Sequence, residues 1–92
     1  MSINSIISRL ESIADSVPYA SSVAELRSLG SQAMGTAMAI KEAFAEQGID
    51  TRSQSMLNLL EQYDYGNDLT TLRENLHIAL QQVAGYYRSR ML

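Results

Sequence analysis

Glu74-Asn75-Leu76-His77 is the stretch of this 92-residue chain that comes closest to catalytic chemistry. A glutamate and a histidine three residues apart share one side of a helix. Helical bundles use that spacing to hold carboxylate-bridged di-iron sites when further glutamates point inward from neighbouring helices. Glu42, Glu46 and Glu61 are available for the second role. Azimuth argues against it: at 100° per residue Glu74 stands about 160°, and His77 about 100°, from the core-facing Leu76. Both residues are expected to face water, with His77 near Glu74 and Gln81, and neither a metal nor a cofactor is implied.

The other clusters have simpler explanations. Asp64-Tyr65-Gly66-Asn67-Asp68 offers oxygen ligands, but it lacks the twelve-residue calcium-loop pattern and its closing bidentate glutamate; a helix stop followed by a helix cap accounts for it. Serines are plentiful, yet the single histidine faces away from the core, so no serine–histidine–acid arrangement forms. Phosphate loops and dinucleotide glycine patterns are missing. An enzyme is therefore not expected. Arg52, Tyr86, Arg88 and Arg90 form the remaining chemical candidate. Antiparallel packing would gather them at one end of the molecule as a small basic, aromatic corner suited to an anion or a nucleotide-like ligand.

Composition limits the partners. Formal net charge is −3 and charged residues make up 18% of the chain, below the roughly 25% usual for soluble domains. Residues 1–50 hold three basic and six acidic groups, whereas residues 51–92 hold four of each. Neither half has the basic stripe that a nucleic-acid duplex needs. There is no cysteine, so neither disulfides nor thiolate metal sites brace the fold, which fits a reducing compartment. No apolar run reaches membrane-spanning length, and the amino-terminal segment, with Glu11 and Asp15, does not resemble a signal peptide. A cytoplasmic location is expected, away from membranes.

Helical periodicity runs through nearly the whole chain and strand-like alternation is missing, which predicts an all-α fold. Ile3, Ile6, Ile7, Leu10, Ile13, Ala14 and Val17 fall within a sector of about 120°, so the first helix spans 2–16 and ends before Pro18. The second is expected over 19–47. It starts within residues 18–22, at Pro18 or at the Ser22-to-Glu25 capping box, and stops at Gly48, a natural left-handed cap. A short third helix over 51–65 and a fourth over 68–90, capped by Asn67 or Asp68, complete the set. Short connections make the expected architecture a small up-and-down antiparallel bundle of four unequal helices forming one domain over 1–92.

The second helix contains the least ordinary feature, the run Gly30–Ile40 without a charged side chain. Tyr19, Val23, Leu26, Gly30, Ala33, Ala37, Ile40 and Phe44 recur at steps of four and three. They define a packing seam with small residues at its centre, where a neighbouring helix can approach closely. Two interior glycines cost about 1 kcal/mol each relative to alanine, which packing must offset. Met34 and Met38 project to the side of the seam and Gly35 and Ala39 lie behind it, so this helix is weakly polar nearly all round. A helix apolar on every side is normally covered on every side. Methionine also fills core gaps, which is the alternative role for Met34 and Met38. Ile78, about 160° from Leu76 between Glu74 and Gln82, adds one more outward apolar group.

Met34, Met38, Ala39 and Ile78 are accordingly the expected interface of a non-enzymatic helical interaction protein. It would self-associate and bind a larger protein partner, as adaptors, chaperones and structural accessory proteins do. The alternatives are a small inhibitor or sponge, of the phage or bacterial-conflict accessory type, that takes a target protein or a nucleotide-like anion at the arginine–tyrosine corner, and a metal-binding bundle built on Glu74 and His77.

Overall fold

A computed structural model describes residues 2–49, 58 and 68–91. Among them the chain forms three packed α-helices and no strand: α1 (Ile3–Ser16), α2 (Val23–Glu46) and α3 (Leu69–Arg90), with a 3-10 turn at Val17–Tyr19 between the first two. The helix expected over 51–65, and Arg52 with it, lies outside the described residues except for Asn58, which is helical and exposed.

Each helix begins where a short polar side chain satisfies its first free amides. The Ser2 hydroxyl accepts the Ser5 N–H at 3.2 Å. Asp68 accepts the N–H and the hydroxyl of Thr71, both at 3.0 Å, which holds its carboxyl below the usual range. Ser22 accepts the Glu25 N–H at 3.1 Å. The Glu25 carboxylate reaches back to the Ser21 N–H at 2.6 Å, a capping box displaced by one residue. This cap decides between the two expected starts of the second helix, in favour of the Ser22-to-Glu25 box and against Pro18 and the bound at residue 19. Pro18 is the second residue of the 3-10 turn, Ala20 is extended, and α2 starts at Val23. Tyr19, expected on the seam, is consequently 86% exposed.

The end of α2 is a Schellman turn. Gly48 takes φ +74°, its N–H donates to the Ala45 carbonyl and the Ile49 N–H donates to the Phe44 carbonyl, both at 3.0 Å. Ile49 folds back against the core, the apolar contact that accompanies this motif.

Cross-helix bonds establish the topology. Arg73 and His77 of α3 reach Ala20 and Ala14, and Arg88 reaches Glu11, Ser8 and Asn4. Partner numbers on α1 fall as those on α3 rise, so the two helices are antiparallel. Phe44 stacks on Tyr87 with ring centroids 5.9 Å apart. That contact brings the carboxy-terminal ends of α2 and α3 together, so they run alongside each other, both opposed to α1. The core between the three helices includes Ile7, Leu10, Leu26, Ile40, Phe44, Leu76, Leu80, Val83 and Tyr87, all fully buried. The sector predicted for the first helix supplies every buried residue of α1.

Candidate functional site

The seam residues Leu26, Gly30, Ala33, Ala37, Ile40 and Phe44 are all buried. Outside the seam, α2 divides. Met34 is half-buried and packs against the core, whereas Met38 is 48% exposed and Ala39 and Gly35 are exposed. A side-chain carbon added at Gly35 would meet nothing within 4 Å. The space beside it is an open groove of about 380 Å³ between α1 and α2, lined by Arg9, Ile13, Ser31, Gln32, Gly35, Thr36 and Ala39. Thr36 contributes little polarity there, because its hydroxyl donates to the Gln32 carbonyl at 2.8 Å within the helix. A second groove, of about 490 Å³, lies between α1 and α3, with Glu11 and Asp15 on its wall and Gly85 among its lining residues. Ile78 is 51% exposed on α3, on the side away from Leu76.

His77 departs from the expected solvated, outward position. It is half-buried, and its Nδ1 lies 3.1 Å from the Ala14 carbonyl oxygen. An azimuth of about 100° from Leu76 is the flank of α3 rather than its back, and α1 ends against that flank. A carbonyl only accepts, so Nδ1 carries the proton. Glu74 is exposed and the histidine is tied to α1. Among the described residues no three histidine, aspartate or glutamate side chains gather as metal ligands.

Of the expected basic corner, Tyr86, Arg88 and Arg90 are described. Arg88 is committed to α1: its Nη2 and Nε donate to the two oxygens of Glu11 at 2.6 and 3.3 Å, Nη2 also donates to the Ser8 hydroxyl at 3.2 Å, and Nη1 donates to the Asn4 side-chain carbonyl. The pair holds the Glu11 carboxyl below its ordinary range and raises Arg88. A guanidinium whose donors are already directed at a carboxylate and two further acceptors has little left for an incoming anion. Tyr86 is half-buried and edge-on to Tyr87 at 5.7 Å. Arg90 is exposed at the end of α3.

Sequence reasoning missed the pair Arg73 and His77, which bond a carbonyl of the α1–α2 connection and one of the last turn of α1. Pro18 was the available signal, because a proline four residues after Ala14 leaves that carbonyl without its helical donor. No protein-family model matches the chain, nor does any curated protein or solved structure. Among the described residues no helix is long and apolar enough to cross a membrane.

Proposed function

We propose that this chain is a non-enzymatic helical interaction protein that self-associates through the outer side of α2 and presents a surface to a larger protein partner. One observation carries the reading: Met38 and Ala39 are exposed in the middle of a helix that bears no charge from Ser28 to Ile40. Such a helix normally has cover on every side. In this reading the half-buried Met34 and the exposed Ile78 of α3 also belong to the interface. In this proposal residues 51–65 supply the fourth helix of an up-and-down bundle, and the cysteine-free chain works in the reducing cytoplasm.

The bonds of Arg88 to Glu11 and of His77 to Ala14 favour this reading over the anion-binding and metal alternatives. Light scattering on the purified chain and on Met38→Glu tests the proposal. An assembly heavier than one 10.2 kDa chain that Met38→Glu reduces to monomers, with helical content unchanged, supports it. A chain that stays monomeric at every concentration refutes the self-association.

A further inference from the structure

We infer that the occupant of the outer side of α2 is the same helix of a second copy, running antiparallel, with Met38 of each copy set against Gly35 of the other. The inference rests on the self-association proposed above and adds its orientation and register. Arg27, Gly35, Met38, Glu42 and Glu46 are all exposed and fall within a sector of about 100° at helical spacing. No charge lies between Ser28 and Ile40. The basic residue stands at the amino-terminal end of this side and the two acidic residues at the carboxy-terminal end.

Register follows from shape and charge together. Gly35 leaves open space where a side chain would begin, and Met38 is the exposed, flexible side chain one turn away. Arg27 and Glu46 each lie about 14 Å along the axis from the midpoint between Gly35 and Met38. An antiparallel pair that places Met38 over the opposite Gly35 therefore places Arg27 opposite Glu46 at both ends, with Glu42 one turn nearer the centre. A parallel pair would oppose Arg27 to Arg27 and Glu46 to Glu46. Like charges directly opposite disfavour that arrangement and opposite charges favour the other.

The absence of native cysteine makes the orientation readable by cross-linking. Ser28 and Ala45, both exposed, are opposite each other in the antiparallel register. Ser28→Cys mixed with Ala45→Cys should join in high yield through a short bismaleimide, and Ser28→Cys alone should not. Cross-linking of Ser28→Cys to itself would overturn the orientation while leaving self-association intact, whereas a monomeric wild-type mass would remove the underlying proposal. Charge reversal gives a second readout. Arg27→Glu should weaken the dimer about tenfold, and Arg27→Glu combined with Glu46→Arg should restore it. An unchanged dissociation curve for Arg27→Glu would also overturn the pairing.

Discussion

His77 Nδ1 donates to the Ala14 carbonyl oxygen, and Ala14 is the α1 residue whose regular helical donor would be the N–H of residue 18. That residue is Pro18, which has none. The Val17 N–H turns inward to the same oxygen, and the histidine supplies a second donor from another helix. One turn earlier on α3, Arg73 Nη1 donates to the Ala20 carbonyl at 3.0 Å, so α3 holds both the last turn of α1 and the connection that follows it. His77→Ala should cost about 1 kcal/mol, the net worth of a hydrogen bond. Pro18→Ala restores a backbone donor to Ala14, so in that background the same histidine change should cost less by about 0.5–1 kcal/mol. Urea unfolding of the four proteins in the cycle measures the coupling, and strictly additive losses would dismiss it.

Tyr87 is a misfit in an otherwise apolar core. Its ring is fully buried between Phe44 and Tyr86, and among the described residues its hydroxyl has no hydrogen-bond partner. Tyr87→Phe keeps the stacking and removes the stranded hydroxyl, so it should stabilise the fold by about 1 kcal/mol. Burial, with Tyr86 beside it, pushes the phenol from 10.0 up to about 12. The raised value makes the unfolded chain lose this proton first. The contribution of this group is thus intact below pH 10 and is lost as pH rises from 10 toward 12, on the order of 3 kcal/mol. Thermal melts between pH 9 and 12 should show a shallower decline for Tyr87→Phe than for the wild type. A destabilised phenylalanine variant would mean that the hydroxyl is bonded.

Acid should act through Glu11. Its carboxyl is held low chiefly by the hydrogen bond from Arg88, so its contribution is present above the unfolded carboxylate range and is lost as pH falls through the depressed folded value. The Glu11 side chain is 42% exposed, and solvent screening keeps that contribution small. Glu11→Gln should flatten the dependence of Tm on pH below about 4.5 and make the melting point less sensitive to salt. A pH profile superimposable on that of the wild type would show the ion pair to be idle in solution.

How much of this was legible beforehand depends on whether a feature is local. The apolar sector of α1, the Ser22 and Asp68 caps and the left-handed Gly48 are each specified within a few residues, so periodicity and capping chemistry found them. The start of α2 was ambiguous because Pro18 suits the first turn of an α-helix as well as a 3-10 turn; the Glu25 bond to Ser21 decides it. The partners of His77 and Arg88 were not legible, for a different reason. Helical azimuth gives the direction of a side chain but not what stands opposite, and Ala14 and Glu11 are more than sixty residues away in sequence. On α2 the methionines were visible, but periodicity alone could not separate the half-buried Met34 from the exposed Met38.

Gly35 and Gly85 give the sharpest separation between a helix that is merely exposed and one that is an interface. Both sit inside helices, and a methyl group at either position would meet nothing within 4 Å. Each change to alanine should stabilise the single chain by nearly the full helix-propensity difference, about 0.8–1 kcal/mol. Their effects on association should differ. At Gly35 the added carbon occupies the space assigned to Met38 of a second copy, so Gly35→Ala should raise Tm in dilute solution and yet weaken self-association. Gly85, in the groove between α1 and α3, lies outside the proposed contact, so Gly85→Ala should raise Tm with the dissociation constant unchanged. Melts at low concentration paired with sedimentation equilibrium distinguish the two. Equal dissociation constants for both variants would show that Gly35 stands outside any contact between copies, and that its cost to helix stability is not recovered by close approach of a second helix.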